Sequence, residues 1–256
     1  MPDLKLHQFA CRSDNFGVLI HDPAAGLTAS IDAPETAAVR KALQEKGWKL
    51  THIFTTHHHA DHTDGNLELK EQTGCTIVGP RVESAKIPGI DTGIGGGEML
   101  SFGSFKAKVL DTPGHTLGHI SFWFEEAKVA FAGDTLFSLG CGRIIEGDPQ
   151  MMWTSLSKLM ALPPDTSFYC GHEYTEANAR FAVGIEPGNA ALQTRAAEVK
   201  ELRVAGKPTL PATIGAELAA NPFLRPHSAE IRKRLAMEDK ADWQVFAEIR
   251  DRKNKS

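Results

Sequence analysis

Short apolar runs ending in polar or glycine-rich corners recur along the first two thirds of the chain. β-Branched and aromatic residues cluster at 17–20, 28–31, 53–55, 76–78, 106–110, 120–124 and 129–132, which predicts a series of strands. Pro34 to Lys46 reads as a helix that Gly47 ends. Asp148-Pro149 opens another, an N-cap followed by proline, with Met152, Leu156 and Leu159 as its apolar face. Beyond Glu173 the strand pattern fades. Asn189 to Ala205, stopped by Gly206, is predicted helical. So is Asp242 to Arg252, with Trp243, Phe246 and Ile249 along one side. The change of texture predicts two parts, residues 1–173 and residues 174–256.

Composition narrows the class without naming it. At 256 residues and 41% hydrophobic content the chain can bury a large core, or a core with an appendage. No apolar stretch reaches the roughly 20 residues of a membrane span, and the first residues lack the apolar core of a secretory signal. Cys11, Cys75, Cys141 and Cys170 are scattered with no C-x-x-C pair, as expected of reduced thiols in a cytoplasmic protein. The net charge of −4 argues against general nucleic-acid affinity. From Arg225 onward nine Lys/Arg face six Asp/Glu, so a mildly basic tail follows an acidic body. On its residues alone that tail is an ordinary solvated face.

The chemistry lies where the predicted strands end. Ile53-Phe54-Thr55 runs into Thr56-His57-His58-His59-Ala60-Asp61-His62, which contains an H-x-H-x-D-H constellation. Imidazoles and a carboxylate at a strand end suit zinc or iron and leave coordination positions open. His58 is the bland member, since an extended start turns it away from its neighbours. Three further strands end in the same format, at Asp111-Thr112-Pro113-Gly114-His115, at Gly133-Asp134 and at Gly171-His172. Each alone reads as a turn; together they read as ligands, with glycines admitting a close backbone approach.

These motifs resemble the metallo-β-lactamase superfamily, and within it the glyoxalase II (hydroxyacylglutathione hydrolase) family. Further matches are Asp14-Asn15-Phe16, Ile31-Asp32-Ala33-Pro34, Phe137 to Arg143, Gly171-His172-Glu173-Tyr174-Thr175, Glu186-Pro187-Gly188-Asn189 and Asn221-Pro222-Phe223-Leu224-Arg225. The resemblance covers nearly the whole chain. It implies an α/β fold, an αβ/βα four-layer sandwich, followed by a smaller helical domain.

The resemblance also implies roles. His57, His59 and His115 would hold one metal ion and Asp61, His62 and His172 a second, with Asp134 bridging them; Asp61 and Asp134 are thereby also catalytic. Two divalent ions, zinc first and iron or manganese as alternatives, would generate a bridging hydroxide that attacks the thioester carbonyl. The implied reaction converts S-D-lactoylglutathione to glutathione and D-lactate, a step of methylglyoxal detoxification, by a monomer with no nucleic-acid or membrane partner. Arg143, Tyr174, Arg250 and Lys253 match substrate-binding positions, the last two spaced to share a helix face. One departure stands out: Ile144-Ile145 replaces a family Phe-Tyr pair whose tyrosine contacts glutathione. The alternatives are a same-fold hydrolase of another thiol carrier and a mononuclear iron sulfur dioxygenase. Asp32 reads either as a turn residue or as the acceptor that orients a ligating histidine.

Overall fold

A computed structural model describes residues 3–256. The first strands form a ladder of hairpins: β1 (Lys5–Cys11), β2 (Asn15–Asp22) and β3 (Leu27–Ile31) pair antiparallel in sequence order. Helix α1 (Thr36–Lys46) then crosses over to β4 (His52–Phe54), ending at Gly47 in the left-handed region, where glycine carries no Cβ penalty. The short α2 (Ala60–Thr63) and α3 (Asn66–Thr73) lead to β5 (Thr76–Pro80), and a 3₁₀ turn leads to β6 (Thr92–Ile94). Strands β3 to β6 are parallel, so the six-stranded sheet is mixed. A second sheet begins with β7 (Met99–Phe102), β8 (Phe105–Asp111), β9 (Ile120–Phe124) and β10 (Val129–Phe131), joined antiparallel.

The chain falls into two compact units. One runs to Asp111 and takes in Thr116–Gly133; the other comprises Thr112–His115 and Asp134–Ser256. In the first, α1 and α3 cover one face of the mixed sheet through Val39, Leu43, Ile53, Leu69 and Ile77. The other face meets the second sheet, with Phe54 against Phe102 at 5.4 Å edge-on and against Phe122 at 5.8 Å. Burying such rings is the largest apolar contribution available to a core of this kind.

The second unit holds the hairpin β11 (Leu136–Phe137) and β12 (Gly140–Cys141), α4 (Pro149–Met160), β13 (Ser167–Tyr169), α5 (Thr175–Ile185), α6 (Ala190–Val204), β14 (Ala212–Thr213), α7 (Ile214–Ala220), α8 (Ala229–Leu235) and α9 (Asp242–Asn254). The predicted start of α4 is as read: Asp148 accepts the Met151 N–H. Phe246 of α9 packs on Trp153 of α4 and on Phe223. The Glu186-Pro187-Gly188-Asn189 and Asn221 to Arg225 motifs meet at one ion pair. Buried Glu186 takes Arg225 through both nitrogens, at 2.8 and 3.0 Å, and also Asn189 and Ser228. Burial opposes that charge, and these bonds outweigh it, leaving the carboxyl below its usual value. Several elements had no counterpart in the sequence reading, among them the edge strand β1, the short strands β6 and β7, and helices α5, α7 and α8. No helix among the described residues is long and apolar enough to cross a membrane, and all four cysteines are buried and free.

Candidate functional site

The first unit holds a cluster of donors. Parallel pairing with β3 and β5 fixes the end of β4. The chain leaves it through Thr55-Thr56-His57 and turns at His59 into α2. This places His57 Nε2 3.1 Å from His59 Nδ1, and the His57 and His62 rings 4.1 Å apart. His62 Nε2 lies 3.9 Å from Asp61 Oδ2. His57 and His62 are buried, whereas His59 and Asp61 are half-buried. Imidazole and carboxylate donors gathered this closely suit a bound metal ion.

Asp32 orients this set. Buried at the end of β3 with φ +57°, it accepts the Thr56 N–H at 2.7 Å and the Thr56 hydroxyl at 2.9 Å. Its Oδ2 also lies 2.8 Å from His62 Nδ1. A proton held on Nδ1 by that carboxylate leaves Nε2 as the lone-pair donor. Of the two sequence readings of Asp32, the geometry favours the orienting one. Replacing it with alanine is expected to weaken metal affinity about 10–100-fold. Metal content after dialysis against a chelator series measures this; retention and activity equal to wild type would remove Asp32 from the site.

Several contacts had no role in the sequence reading. Asn15, inside a motif noted only for its resemblance, donates to the Asp61 carbonyl at 3.0 Å. The His58 ring turns to Glu83, with Nδ1 3.0 Å from Oε2, in keeping with its bland reading. Buried Glu83 also accepts the backbone N–H groups of His58 and Gly118. His119 is buried with its ring 5.0 Å from that of His57. A Cβ on Gly133 would lie 2.5 Å from His119 Nε2, so only glycine fits there, as its strand-end position suggested.

The second unit holds a cluster of its own, centred on Asp134. His115 Nε2 and His172 Nε2 each lie 3.4 Å from Asp134 Oδ2. His115 Nδ1 is 2.8 Å from the Arg143 carbonyl, which again commits the far nitrogen and aims the near one. All three side chains are buried. A Cβ on Gly142 would lie 1.8 Å from the Asp134 carbonyl oxygen, so the Gly-Cys-Gly run is needed to pass this close.

The expected substrate residues share this unit. Tyr174 stacks on His172, rings 4.7 Å apart and 3° from parallel, and meets the edge of Phe137. Arg143 and Ile145 are exposed. Arg250, in a tail that reads as solvated on its residues alone, is buried: its Nη1 donates to the Cys141 carbonyl at 2.8 Å, and its guanidinium lies over Phe223. Lys253 reaches the Ala177 carbonyl and the Phe181 ring. Burial, with the charges of Arg250 and Arg180 nearby, pushes the Lys253 ammonium below its ordinary value.

All seven expected ligands are among the residues able to hold a metal ion. A donor set of imidazoles and carboxylates, with the far nitrogens of His62 and His115 already engaged, fits divalent cations.

Comparison with known proteins agrees. A family model described as the metallo-beta-lactamase superfamily matches residues 17–172, and one described as hydroxyacylglutathione hydrolase C-terminus matches residues 173–256. The hydroxyacylglutathione hydrolase of Brucella anthropi is 58% identical over 253 residues, 99% of this chain and 97% of that protein. That of Brucella ovis is 58% identical over 251 residues, 98% of each. Among solved structures, ETHE1 from Myxococcus xanthus aligns with a TM-score of 0.69 at 26% identity, over 96% of this chain and 90% of that one. A metallo-beta-lactamase from Staphylococcus aureus aligns at 0.65 and 22% identity, over 98% and 71%, a likeness of fold alone. The α/β class with mixed sheets and a helical C-terminal part is thus the observed one, and divalent metal binding follows from the family and its donors. The chain belongs to the hydroxyacylglutathione hydrolase family of the metallo-β-lactamase superfamily.

Proposed function

We propose that this protein hydrolyses S-2-hydroxyacylglutathione, S-D-lactoylglutathione above all, to glutathione and the 2-hydroxy acid. The observation that carries the reading is Asp134, whose Oδ2 lies 3.4 Å from the Nε2 atoms of both His115 and His172, in a chain 58% identical to named hydroxyacylglutathione hydrolases. In this reading His57, His59 and His115 would hold one cation and Asp61, His62 and His172 the other, with Asp134 available to both. Zinc is the first candidate for each. Two such cations would supply a water acidic enough to ionise near neutral pH, at about 7, and charge stabilisation at the carbonyl oxygen.

The chain's own residues do the rest. Asp32 keeps the His62 proton on Nδ1, and the Arg143 carbonyl does the same for His115. Arg250 and Lys253, both cationic and lying on one stretch of α9, receive the glycyl carboxylate of glutathione. The guanidinium fork suits that task. Tyr174, held flat on His172, and Arg143 meet the peptide of the thiol half. A thiol leaves readily, at a pKa of about 8.5, so the reaction requires no separate proton donor. Residues 1–173 are then the catalytic part and residues 174–256 the substrate-binding part of a cytoplasmic monomer. The buried free thiols support that compartment.

Steady-state hydrolysis of S-D-lactoylglutathione by metal-loaded protein, against a chelated control, tests the reading. Rapid metal-dependent release of glutathione is expected, with Ile145 tolerated. Negligible turnover by protein shown to carry its metals would reject glutathione as the thiol carrier.

A further inference from the structure

Three of the side chains assigned above to the thiol half of the substrate converge on one small element, the hairpin of β11 and β12. Phe137 supports the Tyr174 ring at 5.4 Å, Cys141 receives Arg250 through its carbonyl, and Arg143 follows two residues later. The hairpin cannot hold its own shape. It is two residues long on each strand, and Leu139 at its turn has φ +56°, a region leucine disfavours.

Its shape is imposed from α7. Glu217, 1% exposed, accepts the Ser138 hydroxyl at 2.8 Å and the Leu139 N–H at 2.7 Å. Asn221 donates to Glu217 Oε2 and to the carbonyls of Phe137 and Gly140. Asn178 of α5 donates to the Ser138 carbonyl, and it fills the space a Cβ on Gly140 would need. Burial pushes the Glu217 carboxyl up, while the bonds from Leu139, Ser138 and Asn221 pull it down. A carboxylate sealed in a helical interface is hard to explain by stability alone.

We propose that Glu217 is a positioning residue for substrate recognition: it fixes hairpin 137–141 and, through it, the side chains that grip the thiol half of the substrate. The role rests on the glutathione reading. It acts on recognition of the thiol and leaves the reacting carbonyl and the metals alone.

The test compares two D-lactoyl thioesters on the metal-loaded enzyme, that of glutathione and that of N-acetylcysteamine, which lacks the glycyl carboxylate. The readout is the ratio of their kcat/KM values. Glu217→Leu is expected to lower that ratio about tenfold through KM, with metal content and truncated-thioester turnover held within about twofold. Glu217→Gln can remake the bonds to Leu139 and Ser138, and is expected to keep the ratio within about twofold. An unchanged ratio in Glu217→Leu, an equal fall on both thioesters, or loss of metal would overturn the positioning role. Should Glu217→Leu fail to fold, Ser138→Ala is expected to lower the ratio about threefold, and no change there would overturn it too. A wild-type ratio near one would instead overturn the glutathione reading, and this role with it.

Discussion

Replacing Asp134 with alanine is expected to lower kcat/KM for S-D-lactoylglutathione by at least about 10³-fold, roughly 4 kcal/mol of transition-state stabilisation. Its Oδ2 lies 3.4 Å from the Nε2 atoms of both His115 and His172. Only a carboxylate offers two oxygens, so no imidazole or amide can serve two cations in its place. Alanine also removes the one negative charge in contact with two buried imidazoles, which raises the cost of any cation among them. Metal analysis should show loss of bound metal, while circular dichroism should show a folded chain, since Asp134 takes no part in the apolar clusters of the second unit. Asp134→Asn keeps the volume and removes the charge, and is expected to behave like the alanine variant. Activity within tenfold of wild type, with full metal content, would sink the bridging role.

The strand-end histidines and aspartates were legible because the fold puts them in one local format, a short apolar strand followed at once by a donor. Parallel pairing on both sides buries β4 and makes its run continuous, whereas β8, which leads to His115, is antiparallel and shows a clean alternation instead. Asp32 was half legible for the same reason: its place at the end of β3 is local, but its partner His62 is 30 residues away. Glu83 and Glu217 carried no signal at all. Apart from Asn221, four residues on from Glu217, their partners lie 25 to 79 residues off, and a lone glutamate in a polar turn or a short helix has no period to betray burial. Strand β1 was hidden differently. As an edge strand it is only half-buried, and its sequence Lys-Leu-His-Gln-Phe-Ala-Cys lacks clean alternation. The tail shows the limit of charge counting. Arg250 belongs to a basic stretch that reads as solvated, yet its neighbours Ile249 and Phe246 draw that face of α9 inward, and the guanidinium finds its partner in a backbone carbonyl.

That burial makes Arg250→Ala the second large effect. The guanidinium is fixed before substrate arrives, by Cys141 through Nη1, by Asn254 through Nε at 3.1 Å and by the Phe223 face at 5.2 Å. A charge-assisted bond to a carboxylate is worth about 1.5–3 kcal/mol, so its removal is expected to raise KM for the glutathione thioester roughly 10- to 100-fold. kcat should change by no more than a few fold, because the contact is made equally in the ground and transition states. Arg250→Lys should rescue little, since an ammonium cannot bond the Cys141 carbonyl and a carboxylate in the same fork. Lys253→Ala should cost less than Arg250→Ala, as Lys253 is the more weakly seated of the two, reaching the Ala177 carbonyl only at 3.4 Å. The decisive comparison is again a thioester without the glycyl carboxylate. If Arg250→Ala leaves KM for both thioesters unchanged, or raises both alike, the residue does not read the glycyl carboxylate. If it raises KM for the glutathione thioester alone, and by clearly more than Glu217→Leu does, the same guanidinium both meets the hairpin and reads the carboxylate.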